Sequence, residues 1–249
     1  MGRCSLVVLL VVAFVTTNIL ISCTGTPKVS AEFHYNQGVD LLEQGRCNDA
    51  VQEFDRAIRL NPEYADAYIN RGTTYHRLGQ PELAIKDFDE AIRLNPEYAS
   101  AYYNRGTTYY YLGQPERALK DYDEAILLNP QHAKAYNNRG NTYGELGQPE
   151  RAIKDYDEAI RLNPEYADAY YNRGNTYGEL GQPERAIKDY DEAIRLNPRF
   201  AEAYYNRGIA YNNIGSKEEA IANFEKSITL TDNPLLIDEA RQRIAEFKK

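Results

Sequence analysis

The chain has 249 residues, of which 43% are hydrophobic and 27% charged, and its formal net charge is −8. That many apolar side chains argue against a disordered chain. The acidic balance argues against nucleic-acid binding, which needs basic side chains to neutralise phosphates.

The first segment stands apart from the rest. Arg3 precedes an apolar run from Leu6 to Val15, and Thr16, Thr17 and Asn18 lead to Leu20-Ile21-Ser22-Cys23. A short basic end, an apolar stretch and a small residue before a break predict a secretory signal over residues 1–22. Leu20-Ile21-Ser22-Cys23 resembles the lipobox of bacterial lipoproteins. The resemblance implies that Cys23 becomes the lipidated N-terminus, which holds the exported chain on a membrane of the bacterial cell envelope. The alternative is an ordinary cleaved signal, or an uncleaved anchor, in which Cys23 is incidental; with cleavage and no lipid the chain is secreted. Met1-Gly2 does not open a myristoylation motif, because the sixth residue is Leu6 rather than Ser or Thr. Cys4 leaves with the signal, so Cys47 has no disulfide partner if Cys23 carries lipid; an unlipidated Cys23 leaves a bridge to Cys47 open. Residues 23–30 are the lipidation site and a polar tether.

From residue 31 onward one unit is copied in tandem. Asn-Arg-Gly recurs at Asn70, Asn104, Asn138, Asn172 and Asn206, always 34 residues apart, and a diverged copy lies at Asn36. Six units result: 31–64, 65–98, 99–132, 133–166, 167–200 and 201–234. In the second unit Ala67, Tyr68, Thr74, Tyr75 and Leu78 recur with helical spacing up to Gly79-Gln80-Pro81. Pro81 suits the first turn of a second helix, where Ala84, Ile85, Phe88, Ala91, Ile92 and Leu94 form an apolar stripe ending at Asn95-Pro96. Glu82 with Lys86, and Asp89 with Arg93, have the acid-before-base spacing of exposed helix pairs, worth roughly 0.2–0.5 kcal/mol each. The carboxylates repeat with the period and are expected on solvated faces rather than in a catalytic pair.

Tyr68, Gly72, Tyr75, Ala84, Phe88, Ala91 and Pro96 resemble the signature of the tetratricopeptide repeat. The departures are Tyr68 for the usual Trp and Arg71 for the usual Leu, and neither is expected to disturb packing. The resemblance implies an all-α fold: a right-handed α-solenoid of six helix-turn-helix repeats, closed by a capping helix over residues 235–249. Gly72 and Ala84 leave room for the partner helix within a unit, and Ala91 for the next unit. The end units are atypical, with His34, Gln37 and Cys47 replacing Tyr, Arg and Pro in the first.

The central units differ from one another mainly at the second, fifth, ninth, twelfth and thirteenth residues of the first helix, which share one helical stripe. In the third unit these include Tyr103, Tyr110 and Tyr111, in the fourth Asn137 and Asn141, and in the fifth Tyr171 and Asn175. In the family that stripe lines the concave groove. Groove specialisation is one account of the pattern; recent duplication with few substitutions is the other. Asn70, Asn104, Asn138, Asn172 and Asn206 resemble the asparagine ladder in the repeat arm of O-GlcNAc transferases, which implies amides that pair with a peptide backbone. The other reading is that they support local structure. Tyr35, Tyr103, Tyr171 and Tyr205 are candidate aromatic anchors. Gly144 and Gly178 sit inside first helices, where glycine costs roughly 1 kcal/mol relative to alanine, and either a ligand or steric fit between repeats accounts for them.

The basic carboxylate clamp of some family members is not expected, because only Lys134 fits it. His34, His76 and His132 form no metal-binding pattern, and no nucleophile motif, phosphate loop or cofactor motif occurs. The expected function is a non-enzymatic interaction scaffold, taking an extended peptide or partner helix in the groove rather than a small-molecule substrate. The alternative is an assembly factor for an envelope machine, such as a pilus or an outer-membrane complex, acting through its convex face or caps.

Overall fold

A computed structural model describes residues 30–247, and the signal segment and Cys23 lie outside them. Thirteen helices follow one another among the described residues. The first helices of successive units are α1 (Ala31–Glu43), α3 (Ala65–Arg77), α5 (Ala99–Tyr111), α7 (Ala133–Glu145), α9 (Ala167–Glu179) and α11 (Ala201–Asn213). Their partners are α2 (Cys47–Leu60), α4 (Pro81–Leu94), α6 (Pro115–Leu128), α8 (Pro149–Leu162), α10 (Pro183–Leu196) and α12 (Lys217–Leu230), and α13 (Pro234–Glu246) packs on α12. Each helix packs on its neighbours in the chain, so the array is an all-α solenoid without a central core.

The turn within each unit is made by a glycine. Gly79, Gly113, Gly147 and Gly181 have φ of 66–71°, a left-handed conformation that ends the first helix and that other residues adopt only under strain. Proline then starts the second helix at Pro81, Pro115, Pro149 and Pro183. Between units the asparagine of Asn-Pro closes a small turn: Asn95 Oδ1 accepts from the Glu97 amide at 3.0 Å, and Asn163 repeats this with Glu165 at 3.2 Å.

A second glycine lets the two helices of a unit approach closely. A Cβ on Gly72, Gly140 or Gly174 would lie 2.7–2.8 Å from the ring of Phe88, Tyr156 or Tyr190 in the partner helix. At the joint between units, Ala91 of α4 meets Ala101 of α5, both fully buried.

Arg71 and its counterparts hold the units together. Arg71 lies in α3 and binds Asp87 of its own unit through Nε and Nη2, at 2.8 and 2.6 Å. Its Nη1 donates to Asp55 of the preceding unit at 2.6 Å. Arg105, Arg139 and Arg173 repeat the bridge with Asp121 and Asp89, Asp155 and Asp123, and Asp189 and Asp157. In the sixth unit Arg207 takes Asp191 and the neutral Asn223. Burial disfavours the charge on Arg71, but its hydrogen bonds to the two carboxylates and their negative charge outweigh it and raise the pKa.

The structure departs from two expectations. Asp89 pairs with Arg105 of the next unit rather than with Arg93, which instead binds Glu90. A charged fork between three helices outcompetes an exposed helix pair. Asp87, Asp121, Asp155 and Asp189 are not on solvated faces; each is buried beneath its arginine.

Candidate functional site

The first helices present their variable stripe along one face, and its residues divide into those held by the fold and those left open. The fifth position belongs mostly to the joints. Tyr103 stacks at 4.6 Å on His132 and receives a hydrogen bond from Asn138 Nδ2 at 3.2 Å. Tyr171 does the same with Phe200, at 4.6 Å, and Asn206, at 3.1 Å. Asn137 is buried, and its Oδ1 accepts from Asn172 at 3.0 Å. Tyr205 packs on Phe224 and lines a cavity of about 300 Å³ with Glu239, Gln242, Arg243 and Glu246 of α13.

The repeated asparagines each place an amide N–H on the preceding unit. Asn70 donates to the Tyr35 hydroxyl at 2.9 Å and Asn104 to Thr73 at 3.4 Å, in addition to the Asn138, Asn172 and Asn206 bonds. At least one N–H per residue is therefore committed to the joint between repeats, and Asn206 also donates to Asn175 at 2.9 Å.

The ninth, twelfth and thirteenth positions remain open. Tyr111 lies beside His76, 72% exposed with its ring 5.2 Å from the imidazole, and Tyr110 packs edge-on against Tyr111. Burial lowers the His76 pKa, so the ring is neutral at pH 7. Below it a small cavity of about 70 Å³ lies between Tyr110, Tyr111, Asn138 and Asn141. Two larger hollows follow. One, of about 330 Å³, is lined by Tyr110, Asn141, Gly144, Glu145, Tyr156, Asn172, Asn175, Thr176 and Glu179. The next, of about 360 Å³, shares Asn175 and Glu179 and adds Gly178, Tyr190, Asn206 and Ile209 among others. Asn175 and Glu179 stand between the two hollows, which lie side by side as a trough spanning the third to sixth units.

Gly144 and Gly178 create that trough. A Cβ at Gly144 would have no neighbour nearer than the Tyr156 hydroxyl at 4.0 Å, and at Gly178 none nearer than the Tyr190 hydroxyl at 3.8 Å. Packing against the partner helix of the unit does not require glycine at either position, in contrast to Gly140 and Gly174. The floor is polar: Tyr156 donates to Asn141 Oδ1 and Tyr190 to Asn175 Oδ1, each at 2.9 Å. Burial raises the pKa of both phenols, keeping them protonated donors. Both carbonyls of this pair are thereby occupied; Asn175 also lies within reach of the Tyr171 hydroxyl, while Asn141 has no acceptor for its Nδ2 group among the described residues. No group of three His, Cys, Asp or Glu side chains arranged for a metal occurs among the described residues.

Family models described as tetratricopeptide repeat match residues 35–99, 99–132, 121–154, 167–200 and 189–222, and one described as TPR repeat matches 140–181. Together they run without interruption from 35 to 222. The chain is a tetratricopeptide-repeat protein. No curated protein matches it. Among solved structures this tetratricopeptide-repeat chain is similar to a MamA protein, with 27% identity over 76% of this chain and 97% of that one, and a TM-score of 0.60. It is similar to YrrB, described as a TPR protein with an unusual peptide-binding site, with 25% identity, 76% and 97% coverage and a TM-score of 0.60. PilF of Pseudomonas aeruginosa has 18% identity, 88% and 96% coverage and a TM-score of 0.75, a likeness of fold alone. No helix among the described residues is long and apolar enough to cross a membrane.

Proposed function

We propose that the chain is a non-enzymatic scaffold that binds an extended segment of a partner protein in the trough of its third to sixth units. The carrying observation is Asn141, which lines the hollow of the fourth and fifth units and whose Nδ2 group has no acceptor among the described residues. An extended peptide brings a carbonyl with every residue and satisfies such donors. Tyr110 and Tyr111, at one end of the trough, supply aromatic contact area for a side chain of the segment. The solved YrrB relative, described as having a peptide-binding site, supports the same class of ligand.

This reading moves the amide series. The asparagines at the sixth position mainly join repeats, and the donor offered to a ligand, Asn141 Nδ2, is at the ninth. Residues 1–22 and Cys23 place the scaffold at the cell envelope as an exported lipoprotein in this proposal. Replacing Cys23 by Ser then releases the protein from the membrane fraction, and an unchanged distribution removes the anchor from the proposal.

The test of the groove is a photo-crosslinking residue placed at Gly144 or Gly178 in the full chain, compared with one at the exposed Glu150 or Glu184 of the second helices. Adducts confined to the first pair, mapping to one segment of a partner, are the expected result. Adducts confined to the second pair would assign the work to the outer face, as the assembly-factor reading requires.

A further inference from the structure

The charge in the trough is of one sign. Among its lining residues the ionised side chains are Glu145 and Glu179, and no Lys, Arg or His lines either hollow. Glu145 accepts a hydrogen bond from the neutral Tyr110 hydroxyl, which leaves its charge uncompensated, and neither glutamate forms an ion pair among the described residues. The contrast with the joints is sharp, because each joint carboxylate there has its arginine. The cations of the variable stripe in the central units, Arg77 and Lys134, line neither hollow.

Resting on the peptide-groove reading, we propose that the ligand is basic: a segment whose Lys or Arg side chain enters over Gly144 and Gly178 and is held between Glu145 and Glu179. Three features of the trough fit that occupant. The glycines leave room for a long side chain, since a Cβ there meets nothing within 3.8 Å. The aliphatic stem of Lys or Arg can lie over the Tyr156 and Tyr190 rings beneath them while the charge stays at the rim. The carboxylates lie where an acidic ligand would meet like charge, so the same residues exclude acidic segments.

The test selects short random peptides on the full chain and, in parallel, on a Gly144→Tyr, Gly178→Tyr variant. Tyr110 occupies the equivalent position of the third unit, and the space at both glycines is open, so the variant retains the fold. Peptides that bind the wild type and fail on the variant define trough ligands. Enrichment of Lys and Arg among them is expected, together with a loss of about tenfold in affinity on Glu145→Gln, Glu179→Gln that shrinks as salt rises. Trough ligands without basic residues, or with unchanged affinity on the double Gln variant, overturn the charge assignment and leave the groove standing. The absence of any peptide sensitive to the tyrosine variant overturns the groove and this proposal together.

Discussion

Arg139 and Asp155 face each other through two hydrogen bonds of 2.7 Å, from Nε and Nη2 to the two carboxylate oxygens. Asp155 is 6% exposed, so removing the arginine strands a buried carboxylate. Arg139→Leu, which installs the residue usual in the family, is expected to lose about 3 kcal/mol in urea unfolding. Asp155→Asn is expected to lose only about 1 kcal/mol. Asn223 already serves Arg207 in that way, accepting from its Nε at 2.8 Å. Asp123→Asn, on the exposed side of the fork, should stay within about 1 kcal/mol of wild type. Equal losses in all three variants would contradict this ranking.

Glycines four residues apart in α7 should respond in opposite directions. Gly140→Ala forces a methyl to 2.7 Å from the Tyr156 ring and should destabilise by about 1–3 kcal/mol. Gly144→Ala meets only open space and should stabilise by about 1 kcal/mol through helix propensity. Thermal unfolding of the two single variants reads both signs.

His132 gives the fold an acid-sensitive joint. Its ring stacks on Tyr103, and burial lowers its pKa below 6.5, so the folded chain favours the neutral ring. The unfolded chain binds the proton more readily. Stability is therefore complete above pH 6.5 and declines as the pH falls below it. His132→Tyr, matching Tyr98 and Tyr166 in neighbouring units, should flatten that decline. Melting temperatures on either side of the transition measure it, and an identical acid slope in the variant would count against the histidine.

Ser227 stands where the other units carry an alanine such as Ala193, and its buried Oγ has no hydrogen-bond partner among the described residues. Ser227→Ala should stabilise the last unit by about 1 kcal/mol, read by chemical denaturation. A loss of stability would mean that the hydroxyl is satisfied in solution.

The helix pairs were legible in the sequence because a glycine such as Gly79 recurs in every period where the backbone turns, followed in the four central units by a proline such as Pro81. The tight helix approach was legible too, through Gly72 and Ala91. The arginine bridge was not. Arg71 and Asp87 lie 16 residues apart across a turn, a spacing that no helical period relates. A signal existed nonetheless: Gln37 replaces the arginine only in the first unit, which has no earlier unit to reach. The role of Tyr103 was hidden for another reason. Variation between units suggests ligand specificity, but Tyr103 and Tyr171 are matched by stacking partners, His132 and Phe200, that lie in a different helix pair's approach loop. Invariance of Asp89 among the central units likewise has a structural cause, its bond to Arg105.

The same bridge sets how such a chain can change length. Each arginine reaches 16 residues back and 16 forward, so a break placed between units always yields complementary ends. Excising residues 133–166 would bring Arg173 against Asp123, as Arg139 is now, and Asn172 against Tyr103. No buried carboxylate would be stranded at the new junction. A gene that gains or loses whole copies therefore passes through folded proteins at every step, and the trough can lengthen or shorten without redesign of its supports.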